Sequence, residues 1–466
     1  MKRTKMSKVL SAALSATMIC AFGGCSVVTS DPVETQSVSS ETTSIENTTV
    51  AETVVEAENT EPALSGELEI QIFTNETDAA NNAWNSIIDA FEAQTGVKVV
   101  RNMGSQINTE MDTRWMQGNA PDVVLLNGGG INADVLQSSG LLMDISDIMN
   151  HGYVYGTDQL IKDSIGDNLV TVSDDGAIYR APILRSTKGI WYDADYLKQL
   201  GIDEPTHYSE FVEAGKEAVE AGTSALTYPG QYPSYCLGGL IYPAMAAYGQ
   251  EYFDQLGKAD PEAFKSQNMT DILQRYSDYC ANDGFIMPST STLDHTSSQI
   301  KWLNHEATFI TVGLWLPDEV RSSTSDDFKM TFGLSPLIAD NQPTTAVFST
   351  IPVAVSKDAK NVENAEAFVR FLYTDAAQSA LMAGLSQISV LNTLDYAEAT
   401  KNADPAVATA MEAAAAAENQ VYDHISWGDV GTVFGNVIND LTLGNITVED
   451  AQAQLIEAAE KEQTNK

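Results

Sequence analysis

The stretch NAPDVVLLNGG (119–129) sets a proline turn before four consecutive apolar residues, Val123 to Leu126, and ends them in Asn-Gly-Gly. A short apolar run bounded by turn residues reads as a strand buried on both faces, as in a parallel sheet covered by helices. On its N-terminal side, GELEIQIFT (66–74) alternates and is β-rich, so it reads as a first strand. NNAWNSIIDAFEAQTG (81–96) then places Trp84, Ile87, Ile88 and Phe91 at helical spacing, with Gly96 to stop the helix before the strand VKVV (97–100). A second helical stretch ends near Gly118. The order strand, helix, strand, helix, strand predicts a parallel α/β lobe. The triplet Gly128-Gly129-Gly130 has no Lys or Arg close by, so it reads as a tight strand-to-helix mouth rather than an anion nest.

On the C-terminal side, KGIWYDADYLKQLG (188–201) reads as a strand turning into a short helix that Gly201 ends. DEPTHYSEFVEAGKEAVEAG (203–222) combines a proline turn with an amphipathic helix. Residues 223–305 are mostly helical, with the aromatic loop YPGQYPSY (228–235). A strand returns at EATFITVG (306–313), followed by a helix from LWLPDEV. IPVAVSKDAK (351–360) is strand plus turn, 361–384 is helix, turn, helix, and 446–461 is a final amphipathic helix. The body beyond Gly66 exceeds the usual single-domain size, so two lobes are expected.

The N-terminus has a different character. Lys2, Arg3, Lys5 and Lys8 precede VLSAALSATMICAFGG, an apolar run too short for a stable span. It reads as an export signal over 1–24. Gly23-Gly24-Cys25 resembles the lipobox of bacterial lipoproteins, with Phe22 where that motif prefers leucine. The resemblance makes Cys25 the acylated first residue of the mature chain. Residues 31–65 then hold eight acids, no Lys or Arg and no aromatic residue. Such a segment cannot bury enough apolar surface to order itself, and 25–65 is expected to be a disordered acidic linker.

The whole chain carries a formal charge of −39, and the four leader cations make the remainder more acidic still. A nucleic-acid partner is therefore excluded, because phosphate binding needs a basic footprint. Cys20 would leave with the signal. Cys236 and Cys280 remain, as a pair or as two thiols.

Enzyme signatures are absent from the sequence. It has no GxSxG elbow, no GxxxxGK[ST] loop and no HExxH, since HEATF (305–309) lacks the second histidine. His151, His207, His295, His305 and His424 have no ligand spacing, so neither a metal nor a catalytic role is expected. Aromatic residues are more informative. Alternation would send only one of Trp191 and Tyr192 inward, Trp315 follows a strand-to-helix exit of the kind that lines a crevice, and Tyr228, Tyr232 and Tyr235 crowd one loop. Rings at loop edges suit the CH faces of sugars, while Asn, Gln and Asp suit hydroxyls; core packing competes for every one of them.

Seven segments in order carry a family likeness: FEAQTGVKV (91–99), GNAPDVVLLNG (118–128), SGLLMDISDIM (139–149), DGAIYRAPILRSTKGIWYDADYLKQLGI (175–202), PTHYSEF (205–211), HEATFITVGLW (305–315) and IPVAVSKDAKNVENAEAFVRFL (351–372). The chain resembles the extracellular solute-binding lipoproteins of bacterial ABC importers, in the sugar- and oligosaccharide-binding group that includes maltodextrin-binding proteins. The resemblance implies a two-lobe α/β fold of the periplasmic-binding-protein type, with several hinge crossings and a ligand cleft between the lobes. Lobe one would be 66–181 with 343–388, and lobe two 184–340 with 392–461. It implies a carbohydrate ligand, a membrane-embedded ABC permease as partner, no cofactor, a monomeric body, and attachment to the extracytoplasmic face of the cell membrane through the lipid alone. Trp315 matches the family's common stacking residue. Asn127 and Gly128 would form the rim of lobe one, faced by Arg185, Trp191, Tyr192, Tyr235 and Phe434. A peptide or polyamine ligand, or a glycan adhesion or sensing role, stands as the alternative. GLSQISVLN (384–392) departs from the family pattern in lacking a proline after its glycine, at a crossing that often contributes to the pocket.

Overall fold

The computed structural model describes residues 61–465 except Glu76, Asp167, Asp283, Asn402, Ala403 and Ser426. The expected signal segment, Cys20, Cys25 and the linker as far as residue 60 lie outside the described residues. The end of the expected linker is engaged with the body. Glu61 pairs with Arg370 at 2.6 and 2.9 Å and accepts the Gly156 N–H, and Asn364 binds the carbonyl of Ser65. Contact with the body thus includes residues before Gly66, because one acid of that tract has a guanidinium to fold against.

The strands are β1 (Glu67–Phe73), β2 (Lys98–Gly104), β3 (Val123–Leu125), β4 (Ala181–Ser186), β5 (Lys188–Asp193), β6 (Ser224–Thr227), β7 (Ala307–Gly313), β8 (Met330–Gly333), β9 (Thr345–Val355), β10 (Ile388–Ser389) and β11 (Asn419–Tyr422). They form two sheets. The larger runs β10-β4-β9-β3-β1-β2, with β11 attached to β9; the smaller runs β6-β7-β5-β8. β1 pairs parallel with β2 and β3, as the strand–helix alternation predicts. The sheet as a whole is mixed, because β9 returns from far along the chain and runs antiparallel to both β3 and β4.

Helix Asp78–Thr95 shows why these residues form these elements. Thr77 caps its start by accepting the Ala80 N–H, and Gly96 ends it at φ 75°, donating to the Glu92 carbonyl. Its inward stripe of Trp84, Ile87, Ile88 and Phe91 packs on Leu68, Ile70 and Ile72 of β1. Phe91 meets Phe368 and Phe371 edge-on at centroid distances of 5.1 and 5.5 Å. The opposite face of the sheet carries a smaller core around Ile107, Met111 and Trp115.

The sheet of lobe two is covered on both faces, and every residue of β7 is buried. That corrects the expectation for Trp191 and Tyr192. Alternation sends them to opposite faces, but both faces are inside, so they are 0% and 2% exposed. Phe434, on helix Asp429–Thr442, is also core, packed between Phe264 and Trp427. Cys236 and Cys280 are free thiols, and burial pushes the Cys236 thiol up to about 12. Among the described residues no helix is long and apolar enough to cross a membrane.

Two connections place the cleft. β4 runs through Thr187 directly into β5, leaving one sheet for the other. β9 is paired with β11 over Thr345–Phe348 and with β4 and β3 from Ser349 onward. If this packing governs stability, Phe91→Ala costs about 3–5 kcal/mol. The exposed Met116→Ala stays within about 0.5 kcal/mol. Urea unfolding of the two variants measures both, and equal midpoints would contradict the assignment.

Candidate ligand cleft

A cavity of about 490 Å³ lies between the lobes at the carboxyl ends of β1 and β3, the position where open α/β sheets bind ligands. Lobe one contributes Thr74 and Asn75 after β1, Asn127 and Gly129 after β3, and Gln387 after helix Asp375–Leu385. Lobe two contributes Tyr235, His295, Trp315, Asp318 and Glu319. The floor is formed by Ser186 and Lys188 at the β4–β5 passage and by Ser349 to Ile351 of β9.

The lobe-one rim is held by a buried polar chain. Trp115 Nε1 donates to Gln71 Oε1 (2.9 Å), Gln71 Nε2 donates to Asn108 Oδ1 (2.8 Å), and Asn108 Nδ2 donates to the carbonyls of Asn127 and Gly129. Gln71 stands on the face of β1 opposite Leu68, Ile70 and Ile72, so the alternation of GELEIQIFT directs it to this chain. Gly128 has φ 83°, and a Cβ there would fall 2.3 Å from the Phe73 ring. It shapes the mouth by packing on Phe73, while its neighbours Asn127 and Gly129 line the cavity.

The facing wall is aromatic. Trp315 folds back over Gly313, where a Cβ would meet its ring at 2.0 Å. Trp191 Nε1 donates to the Gly313 carbonyl at 3.1 Å, so this core tryptophan supports the wall from behind. The Tyr235 ring stands edge-on to Trp315 at 6.3 Å, and its hydroxyl meets His295 Nε2 at 2.5 Å. Gln299 Nε2 donates to Glu319 at 2.6 Å. Asp318 pairs with Arg321 at 2.5 Å and accepts from the Ser386 hydroxyl, a contact between a lobe-two helix and the segment leading into β10. Burial pushes the Glu319 carboxyl up and the His295 imidazole down.

Of the residues expected at the site, Trp315, Tyr235 and Asn127 meet at this cavity. Arg185 sits beside it, with Nε donating to the Ser389 carbonyl at 2.9 Å and the guanidinium over the Phe348 ring, so it binds β4 to β10. Trp191, Tyr192 and Phe434 are in the core. Thr74, Lys188, His295, Asp318, Glu319 and Gln387 went unnoticed in sequence. The usable signal for Thr74 was its place at the carboxyl end of the first strand; for Gln387 it was the departure in GLSQISVLN. Among the described residues no group of three or more His, Cys, Asp or Glu side chains is placed to hold a metal ion.

Comparison with known proteins gives a consistent picture. The family model described as "Bacterial extracellular solute-binding protein" matches residues 75–379. No curated protein matches in sequence. Among solved structures, a chitin oligosaccharide binding protein superposes with a TM-score of 0.66 at 17% identity, covering 86% of this chain and 98% of that one. Apo RafE from Streptococcus pneumoniae gives 0.65 at 18%, covering 85% and 99%. A probable secreted solute-binding lipoprotein from Streptomyces coelicolor gives 0.66 at 15%, covering 84% and 98%. At these identities the likeness is one of fold.

The histidine in the aromatic wall has a pH signature. Its folded pKa lies below 6.5, so between that value and 6.5 the unfolded chain binds more protons than the folded one. The stability is present above this window and is lost as pH falls through it. Thermal midpoints of the wild type and His295→Gln are therefore expected to converge or cross as pH falls from about 7 to about 5. A constant difference would exclude His295 as a titrating group.

Proposed function

The chain belongs to the family of bacterial extracellular solute-binding proteins, and on that footing we propose that it captures a carbohydrate, an oligosaccharide in the first place, by closing its two lobes on it and hands it to a membrane-embedded ABC permease. It is a solute-binding protein and not an enzyme. Acylated Cys25 would hold it to the extracytoplasmic face of the cell membrane, with the acidic segment after it as tether and the body a monomer.

The observation that carries the ligand class is the cavity wall of Trp315 and Tyr235 set opposite the polar rim of Asn75, Asn127 and Gln387. A saccharide has that same division, with apolar CH faces for rings and hydroxyls for amides and backbone groups. Structural relatives named for a chitin oligosaccharide and for raffinose support the class. A polyamine would need carboxylates without partners, whereas Asp318 and Glu319 already have theirs.

Closure follows from contacts to both lobes. A ligand shifts the open–closed equilibrium only by its difference in affinity for the two states, and that difference arises when Trp315 on one lobe and Asn127 on the other engage it together. No bond in the solute is made or broken.

A thermal-shift screen of the full chain against mono- and oligosaccharides, with peptides and polyamines as controls, tests the reading. Ligand at roughly 100 times its Kd should add about 2.7 kcal/mol of apparent stability. The shift should appear with one saccharide class and be lost in Trp315→Ala. Flat saccharide curves beside a shift with a peptide or polyamine would sink the carbohydrate assignment.

A further inference from the structure

The floor of the cavity holds a cation whose charge the fold leaves without an ion-pairing partner. Lys188 opens β5, and its ammonium lies 5.8 Å from the centroid of the Trp315 ring. Among the described residues its Nζ makes no hydrogen bond or ion pair. The side chain is seated deliberately. Gly238 lies in a wide π turn, Leu237–Ile241, and a Cβ on it would stand 3.0 Å from Lys188 Cδ and 3.2 Å from Nζ. Such turns inside helices concentrate at functional positions.

The acids nearby do not answer the charge. Asp318 is taken by Arg321 and the Ser386 hydroxyl, and Glu319 by Gln299. Asp423 acts on Lys188 through space: burial pushes the ammonium down and the carboxyl up, and their attraction opposes both shifts, but Asp423 lies beyond ion-pair distance and its carboxylate accepts the Ile425 N–H at 2.9 Å. Two further polar groups in the same cavity have no partner among the described residues. Thr74 Oγ1 and Gln387 Oε1 are both inaccessible and unbonded, on residues 1% and 4% exposed. Orphaned polar atoms in a native core call for an explanation, and a ligand is one.

Resting on the carbohydrate reading above, we propose that the ligand is an acidic saccharide, one with a uronic acid unit, and that Lys188 selects it by pairing with the carboxylate while Thr74 and Gln387 bind adjoining hydroxyls. Hydroxyls alone would leave an ammonium stripped of water without a counter-ion once the lobes close, which is costly. A carboxylate supplies charge-assisted hydrogen bonds about twice as strong as neutral ones. The net charge of −39 would otherwise repel such a ligand, so a cation at the floor is what admits it.

The test is calorimetric titration of the full chain with uronate-containing disaccharides, each beside its methyl ester and its neutral hexose counterpart. The free acid should bind at least about tenfold more tightly than its ester, the low end for a charge-assisted hydrogen bond. In Lys188→Met the acid-to-ester ratio should fall toward one. The acid–ester comparison on the wild type stands even if that variant misfolds. Neutral members binding as tightly as the acids, or a ratio unchanged by Lys188→Met, overturns the acidic ligand and leaves the carbohydrate reading in place. Binding by no saccharide of either kind overturns that reading, and this one with it.

Discussion

Strand pairing along β9 is the constraint on which the rest of the molecule depends. This one strand is bonded to β11 at its start and inserted between β4 and β3 at its end. β4 in turn continues through Thr187 into β5, the strand that sheet two is built around. The two lobes are therefore joined by backbone already committed to ladders on either side. What lies between them is a floor of paired strand residues, Ser186 and Ser349 to Ile351, rather than a loose linker. The chain passes from one sheet to the other in a few residues, and the cavity stands directly above them.

Each wall is stiffened by its own lobe before any ligand arrives. On one side a chain from Trp115 through Gln71 and Asn108 reaches the carbonyls of Asn127 and Gly129, so the glycine-rich mouth is fixed from the core outward. On the other, Gly313 accepts from Trp191 and leaves the space into which Trp315 folds, and Tyr235 leans on His295. Rings and backbone carbonyls held in this way have little freedom left to lose on binding. The electrostatics follow the same division. Acids at the cavity have partners, while among the described residues Lys188 Nζ, Thr74 Oγ1 and Gln387 Oε1 make no hydrogen bond or ion pair.

Much of this was legible from the chain alone. Periodicity and punctuation located the first strand, the helix ended by Gly96, the buried run of Val123 to Leu125 and the strand-to-helix turn ended by Gly201, because each is governed by residues within about one or two turns of one another. Ordered likeness to a known family pointed to two lobes, and the placement of Trp315, Tyr235 and Asn127 at strand and loop ends brought them to the same cavity. These are properties of local sequence and of the ends of elements.

Tertiary structure alone decided which faces were inside and which distant residues meet. Trp191 and Tyr192 lie on opposite faces of one strand, and only the helices packed on both sides of the small sheet bury them together. Phe434, expected to face the rim of lobe one, is core, because its helix turns it toward Phe264 and Trp427. Thr74, Lys188 and Gln387 are separated by more than a hundred residues at each step, and no local pattern joins them. They share one cavity because β4, paired with β9, runs on into β5 and brings the larger sheet to the smaller one at a single floor, and long-range strand pairing is a term that no window of sequence contains.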